Sequence, residues 1–383
     1  MSAGAREDDS MRAAGPDAAG AIPAGAVCFL PRPAGPGYRR IAEVPVGLGP
    51  EGAVVDGKRR RAYVTSSRSH ELTVLDLERL APVGRVPVGR EPTDVELDAA
   101  RQRLFVCDLR SSTVSVVDLA RERPERSVTV PGYPSSLSLD LERGLVYCGC
   151  AAGAAVAIID ADELRVLATV PAELGAGGIA VDTRRQRAYC ANFLTESVTV
   201  IDCEAREPIA RLKVGRAPCA VIINPASDSA YVANSSSESV MRIDLERVEV
   251  AAEIPVGRGP VGINTHPHGD RIYVGNRAEG TVSVIGAHDD LEWGRIPVGE
   301  APAGLAVDPI SGYLLVSNAG AATVSVVEDR LNGPLEAALR GEPHPLVGSP
   351  LPNFELVDLR TGRLRRSLEW SERKYILNFF ASW

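Results

Sequence analysis

The sequence lacks the features that would place the protein across a membrane or on a nucleic acid. No apolar run approaches the roughly 20 residues that a helix needs to span a bilayer. No block rich in lysine and arginine is present, and the formal net charge is -8, so we expect no nucleic-acid surface. Residues 1–37 are rich in Ala, Gly and Pro and are predicted to form a disordered tail. Because they show no basic segment followed by an apolar core, no export signal is visible and the sequence alone predicts a cytoplasmic protein.

The sequence is equally short of motifs for catalysis, cofactors and metals. No haem attachment sequence, P-loop, G-x-S-x-G or dinucleotide-binding glycine motif occurs in a suitable context. The seven cysteines are odd in number and scattered through strand-like segments, which argues against a disulfide framework. Cys148 and Cys150 fall on one side of a strand, but no second pair at metal-ligand spacing accompanies them. We therefore predict buried thiols there, and no cofactor and no metal site in the chain.

A repeat of 42 residues occupies most of the chain. Aromatic residues open one strand-like segment of each repeat at Tyr63, Phe105, Tyr147, Tyr189, Tyr231 and Tyr273, with Leu315 in the seventh place. A further strand of the type T-V-x-V-x-D ends, at the same spacing, at Asp76, Asp118, Asp160, Asp202 and Asp244, then at Gly286 and Glu328. The turn P-V-G-x-x-P recurs more loosely, with its glycine at Gly47, Gly89, Gly132, Gly175, Gly215, Gly257 and Gly299. Internal repetition of this length indicates a repeat architecture.

The pattern inside each repeat identifies the architecture. Segments such as Thr281–Val284 alternate in polarity with period two and are rich in β-branched residues, as half-buried strands are. Each repeat holds about four such segments separated by turn residues, which is typical of a propeller blade. The sequence thus predicts an all-β fold, a seven-bladed β-propeller over residues 38–330.

The way in which the ring closes can also be predicted. Tyr38–Val44 resembles the last strand of a repeat but precedes the first one. Blade seven has three strand-like segments near residues 303–328, and the segment that begins at Asp329 has no strand pattern. We therefore predict that Tyr38–Val44 forms the fourth strand of blade seven, which would remove two exposed sheet edges.

The repeat motifs resemble those of a known family. The strings YVTS, YCAN, YVAN and YVGN, with their valine-rich strands and P-V-G turns, are similar to the YVTN-repeat (YncE-like) β-propellers over roughly Tyr38 to Arg330. The resemblance implies an exported or surface-associated protein, so the compartment stays open. Members of the family range from binding proteins to subunits of redox enzymes, and the fold therefore does not fix the function.

One face of the predicted propeller collects candidate binding residues. The P-V-G-x-x-P turns and the loops after each Y-V-x-N strand should share this face, which we call the loop face. It receives Arg90, Arg216, Arg258, Asn192, Asn234, Asn276 and Asn318. Because guanidinium groups suit carboxylates and phosphates, we predict a monomeric propeller that binds a protein or a small anionic ligand there. Alternatively, the asparagines bond their own turns and the arginines only improve solubility.

Two metal sites are the alternatives to this hypothesis. In a metal-dependent lactonase, Asp108 with Asn192, Asn234 and Asn276 would supply oxygen ligands for a divalent cation at the channel mouth. His266 and His268 could hold a metal through two imidazoles. They lie in a hairpin turn where other repeats carry aspartate, however, so we predict turn residues.

The last part of the chain has a different character. Residues 331–346 are predicted to be a linker. The segment Val347–Trp383 resembles the opening of a thioredoxin-like α/β domain of the redoxins, the peroxiredoxins and thiol–disulfide reductases. The matching positions are Gly348, Pro352, Phe354, Leu356, Gly362, Ile376, Leu377, Phe379, Phe380, Ala381, Ser382 and Trp383.

This second resemblance implies a redox function for the intact protein. The propeller would be a scaffold joined to a thiol-dependent oxidoreductase or peroxidase domain. In these families the next positions carry the active-site cysteine, whose lowered pKa provides the attacking thiolate. That cysteine would lie beyond Trp383, so we expect a truncated product with no catalytic residue of its own. A C-terminal hairpin that docks on the propeller is the alternative.

Overall fold

The computed structural model describes residues 37–329 and two short strands at residues 355–357 and 364–366. The predicted tail, except for Gly37, and the predicted linker lie outside the described residues, as does most of the segment from Val347 to Trp383. Among the described residues, no helix is long and apolar enough to cross a bilayer.

Seven four-stranded antiparallel sheets form the blades. The first strands are β2 (Pro50–Asp56), β6 (Pro92–Asp98), β10 (Pro134–Asp140), β14 (Ala176–Asp182), β18 (Pro218–Asn224), β22 (Pro260–Thr265) and β26 (Pro302–Val307). The second strands are β3 (Arg61–Ser66), β7 (Arg103–Asp108), β11 (Leu145–Cys150), β15 (Arg187–Asn192), β19 (Ser229–Asn234), β23 (Arg271–Asn276) and β27 (Leu314–Asn318). First strands of consecutive blades contact each other, and β26 contacts β2, so the ring of seven blades is closed.

The outer half of each blade completes its sheet. The third strands are β4 (Glu71–Asp76), β8 (Thr113–Asp118), β12 (Ala155–Asp160), β16 (Ser197–Asp202), β20 (Ser239–Asp244), β24 (Thr281–Gly286) and β28 (Thr323–Asp329). The fourth strands are β5 (Ala81–Pro87), β9 (Arg123–Thr129), β13 (Arg165–Pro171), β17 (Glu207–Lys213), β21 (Glu249–Pro255), β25 (Glu292–Pro297) and, in blade seven, β1 (Tyr38–Pro45). The all-β, seven-bladed prediction is thereby confirmed.

The predicted closure by the first strand of the chain is confirmed as well. β1 pairs antiparallel with β28, with Tyr38 opposite Asp329 and Val44 opposite Val324. The prediction was wrong by one residue at the end of blade seven, because Asp329 belongs to β28. Its side chain explains the extension: the Tyr273 hydroxyl donates a hydrogen bond of 2.7 Å to Asp329, and Arg271 forms an ion pair of 3.3 Å with it.

The repeating aromatic residues explain why the blades adhere to one another. Each lies on a second strand, is at most 1% exposed, and packs against the sheet of the following blade. Tyr63 of blade one, for example, lies in a cluster with Val95 and Leu104 of blade two. Tyr231 of blade five likewise packs against Ile263 of blade six. Full burial of such a side chain contributes roughly 1.5–3 kcal/mol, so the repeat spreads stability evenly around the ring.

A separate two-stranded sheet lies in the C-terminal segment. β29 (Glu355–Val357) pairs antiparallel with β30 (Leu364–Arg366), with Leu356 opposite Arg365.

Candidate functional site

The loop face is built as the sequence predicts. Within a blade, the loop after the second strand donates backbone hydrogen bonds to the turn that leads into the first strand. The N–H of Arg110 donates to the Arg90 carbonyl at 3.1 Å, and the N–H of Ser236 donates to the Arg216 carbonyl at 3.2 Å. Turns and loops are thus fixed to one another, and the side chains between them have a defined direction.

The four asparagines of the predicted site lie inside the blades and not at the channel mouth. Each is 0% exposed, and most of their polar atoms bond to their own blade. Asn276 donates to the hydroxyls of Thr281 and Ser283 at 3.0 and 2.8 Å, and Asn318 donates to the equivalent Thr323 and Ser325 at 3.1 and 2.9 Å. A ligand on the loop face would not reach these amides without opening the blades, so we retain only the arginines in the candidate site.

Asp108 takes the same position in blade two. Its carboxylate accepts hydrogen bonds from Thr113 and Ser115 at 3.0 and 2.6 Å, and desolvation raises its pKa to about 6. The oxygen ligands that the lactonase hypothesis requires are therefore buried within separate blades. No group of three or more His, Cys, Asp or Glu side chains in the described part of the chain is placed to hold a metal ion.

Two of the three candidate arginines present an uncompensated charge. Arg90, Arg216 and Arg258 are all exposed. Arg258 forms an ion pair with Glu279 at 3.4 Å. Arg216 donates to the carbonyl of Ser236 at 2.8 Å, and no carboxylate within residues 37–329 pairs with Arg90 or Arg216. These two guanidinium groups therefore remain available to an anionic partner.

Between these arginines the loop face carries an apolar patch that the sequence analysis did not anticipate. Large hydrophobic side chains are exposed here on neighbouring blades, and we call them the apolar patch: Tyr133 (42%), Leu174 (58%), Phe193 (45%) and Leu194 (66%). Tyr133 lies in the turn of blade three, and the other three lie in the turn and loop of blade four. Arg90 enters blade two and Arg216 enters blade five, so one unpaired arginine lies on each side.

A chain of backbone hydrogen bonds connects the segments that carry the apolar patch. The N–H of Ala151 donates to the Tyr133 carbonyl at 3.0 Å, and the N–H of Gly175 donates to the Ala151 carbonyl at 3.3 Å. Phe193 then donates from its N–H to the Gly175 carbonyl at 3.0 Å. Gly175 has a φ of +79°, and an added Cβ there would lie 3.1 Å from the Phe193 side chain. The loops of blades three and four therefore form one supported surface.

A central cavity of about 790 Å³ is the second candidate site. The first strands of all seven blades line it. The approach of neighbouring strands is close: a Cβ added to Gly262 would lie 1.7 Å from the carbonyl of Ala303. At one part of the wall, Arg277 makes two hydrogen bonds of 3.1 Å to Glu51, which link blade six to blade one.

One side of the cavity wall concentrates hydroxyl and carboxyl groups. The polar wall, as we call it, comprises Thr93, Asp94, Glu96, Ser135, Ser136 and Ser138 of blades two and three. Desolvation raises the pKa of Glu96 to about 8, and the neighbouring charge of Asp94 adds to the effect. Both carboxyl groups lie deep among protein atoms while still facing the water-accessible cavity, which accounts for their partial exposure.

Comparison with known proteins agrees with this architecture. The family model of YNCE-like beta-propellers matches residues 38–228. The chain contains a YNCE-like β-propeller. Hydrazine synthase from Kuenenia stuttgartiensis has a similar structure, with a TM-score of 0.65 and 17% sequence identity over 73% of this chain and 95% of that one. At this identity the likeness shows the fold alone. No curated protein matches the chain.

The remaining sequence candidates are structural parts of the YNCE-like propeller. His266 is 2% exposed, and its Nδ1 accepts the backbone N–H of His268 at 3.2 Å, as Asp56 accepts that of Arg59 in blade one. The predicted role as a turn residue is confirmed. Cys148 and Cys150 are buried free thiols with 4.0 Å between their sulfurs. The pKa of each is raised above its ordinary value by thiol hydrogen bonding and burial, so neither resembles a nucleophile.

Proposed function

We propose that the YNCE-like propeller is a binding module whose loop face holds a partner protein segment with apolar side chains between carboxylates. The observation that carries this proposal is the apolar patch, with Arg90 on one side and Arg216 on the other. Contiguous exposed hydrophobic surface on a soluble protein marks an interaction site more often than single exposed residues do.

The chemistry of the surface defines the partner. Desolvation of Leu174, Phe193 and Leu194 would supply the affinity, since burial of each such side chain contributes roughly 1.5–3 kcal/mol. The arginines would add register and association rate through charge complementarity. A basic segment would lose the charge complementarity, and a wholly polar segment would lose the apolar burial. An acidic segment that carries leucines therefore fits best.

A peptide titration tests this proposal. The probe is a fluorescent peptide with two leucines flanked by glutamates, and its counterpart has lysine at every glutamate position. We expect the acidic peptide to bind at least tenfold more tightly than the basic one. Leu194→Asp should weaken the acidic peptide at least tenfold, and Arg90→Glu combined with Arg216→Glu should do the same, as measured by fluorescence anisotropy.

Matched variants separate surface chemistry from general damage. Ile310→Asp changes another exposed side chain (59%), which lies in a loop between a first and a second strand and therefore outside the loop face. Asn276→Ala removes two hydrogen bonds inside blade six. Both should leave the affinity within twofold of the parent. Equal binding of the two peptides, or an unchanged affinity in Leu194→Asp, would refute the proposal.

We further propose that the segment from Val347 to Trp383 opens a thioredoxin-like redox domain for which the propeller is the scaffold. Support comes from the order of Gly348, Pro352 and Phe354 and from the apolar run that ends at Trp383. The antiparallel pair β29–β30 on either side of Gly362 fits the short hairpin that the resemblance implies. The test is the gene sequence downstream of codon 383: a cysteine within the next few codons is expected, and its absence would contradict the proposal.

A further inference from the structure

We propose that the polar wall of the central cavity is a binding site for a small organic cation, with a primary ammonium group bonded to Glu96 and Asp94. The apolar part of the ligand would lie against the blades in which the positions equivalent to Glu96 carry Ala180, Ile222 and Ala306. A cavity of about 790 Å³ is in the size range of ligand pockets.

The repeat itself supplies the comparison that makes this wall unusual. At the third and fifth positions of the first strands, the other blades carry mainly glycine, alanine or aliphatic residues: Gly52 and Val54, Gly178 and Ala180, Ala220 and Ile222, Gly304 and Ala306. Blade two alone places two carboxyl groups there. They are two residues apart on one strand and therefore share a face. A departure from an otherwise regular repeat is where a functional site is expected.

Polar residues at the positions equivalent to Glu96 form hydrogen bonds to the next blade, whereas Glu96 forms none among the described residues. Ser138 of blade three accepts the N–H of Val181 in the next blade at 3.1 Å. Asn264 of blade six donates to the carbonyl of Leu305 at 2.8 Å. Glu96 makes no such bond across to blade three; within residues 37–329, the backbone N–H of Leu97 is its one hydrogen-bond partner.

Neighbouring groups on this wall reinforce the same conclusion. Asp94 is oriented by the N–H groups of Val95 and Leu137, each at 2.9 Å, which leaves its charge without a cation. An ammonium group carries three donors and one positive charge, so it could bond to both carboxyl groups of this wall.

The charged groups around Glu96 favour an organic cation over a resident side chain or a metal. Arg277 is the cation that lines the cavity, and it is already bonded to Glu51 at two 3.1 Å contacts. On the adjacent strands, β2 contributes Val54 and Glu51, whose carboxylate is bonded to Arg277, and β10 contributes serines. Asp94 is therefore the titratable group that acts on Glu96. Two carboxylates fall short of the donor set that a bound divalent ion usually needs.

Titration of n-butylamine into the full chain tests the site, with 1-butanol as the neutral match. Binding is followed by ligand-observed NMR between pH 6 and pH 9, where the amine stays protonated. We expect the amine to bind and the alcohol not to bind. Because Glu96 must lose its proton, the affinity should rise about tenfold from pH 7 to pH 9.

Variants and a metal titration complete the experiment. Glu96→Gln should weaken amine binding at least tenfold and abolish its pH dependence, whereas the exposed Glu204→Gln should change neither. Amine binding that is unaltered in Glu96→Gln would overturn the proposal. So would Glu96-dependent binding of Mg²⁺ or Ca²⁺ that excludes the amine, because the site would then belong to a metal.

Discussion

The closure of the ring and the apolar patch both depart from the usual distribution of residues, in which charged side chains are exposed and large apolar side chains are buried. They depart from it in opposite ways. At the closure, Arg271 is a charged residue that is 1% exposed. On the apolar patch, Leu194 is an apolar residue that is 66% exposed. The first departure is resolved within the chain, since Asp329 and Tyr273 bond to each other and Arg271 pairs with Asp329. The second has no such resolution among residues 37–329, where Leu194 stays exposed.

This difference offers a way to separate structure from function in a repeat protein. A departure from the repeat that finds its partners inside the fold is explained by the fold. Asp329 belongs to that group, and Asn276 and its equivalents, which follow the repeat, are likewise bonded inside their blades. A departure that remains unpartnered, such as the exposed Phe193 or the uncompensated Glu96, indicates a binding role.

The largest expected effect tests the closure. Arg271→Met leaves Asp329 buried without its cation, and we expect a loss of about 3–5 kcal/mol in the free energy of unfolding, measured by urea denaturation. Since β1 lies on the other side of Asp329, its amides should lose protection from hydrogen exchange first.

An exposed ion pair is the control for this variant. Arg295→Met removes a guanidinium that is bonded to Glu292 and Glu279 at the surface, where a loss of about 0–1 kcal/mol is expected. The double variant Arg271→Met with Asp329→Asn should recover part of the stability. If Arg271→Met stays within about 1 kcal/mol of the parent protein, the closure does not depend on its buried charge.

A smaller effect, and one of opposite sign, is expected at Asp108. Four other blades carry asparagine at this position, with the same pair of hydroxyl partners in blades six and seven. Because desolvation raises the pKa of Asp108 to about 6, the folded chain holds a proton between about pH 4 and pH 6 that the unfolded chain has released. Stability therefore falls as the pH rises through this window.

Asp108→Asn should remove that loss. We expect the variant to be more stable than the parent by about 1–3 kcal/mol at pH 7 and nearly equal to it at pH 4, as measured by urea denaturation at both pH values. The exposed Asp162→Asn should show no comparable gain at pH 7, because Asp162 pairs with Arg101 at the surface. A destabilised Asp108→Asn would mean that the carboxylate has a role that asparagine cannot fill.

The sequence predicted what depends on periodicity. The spacing of the aromatic residues located the second strand of each blade. Tyr38–Val44 was recognisable as the missing fourth strand because its sequence resembles the fourth strands of the other blades. The sequence did not predict the apolar patch. Leu174, Phe193 and Leu194 lie in two segments about 20 residues apart, and only the hydrogen bonds between turn and loop bring them together.

Side-chain direction was the other property that periodicity left open. The asparagines end their strands near the channel mouth, but the pleat turns them toward the hydroxyls of the third strand. The role of Glu96 could not be predicted from its own strand, because carboxylates in an alternating strand are normally solvent-facing. A comparison of the equivalent position in all seven repeats, which holds Val54, Ala180 and Ile222 elsewhere, would have revealed it.

The smallest expected effect is on the stability of a variant in the apolar patch, and it separates an exposed leucine from a buried one. Leu194→Ser should change the free energy of unfolding by no more than about 0.5 kcal/mol, because the removed atoms already contact water. Leu104→Ser, at a leucine that is 0% exposed, should cost at least about 2–5 kcal/mol. Urea denaturation of both variants, beside the peptide titration, gives the test. Leu194→Ser should lose peptide affinity at unchanged stability, whereas a loss above about 1 kcal/mol would show that Leu194 is held by the propeller itself and is not free to receive a partner.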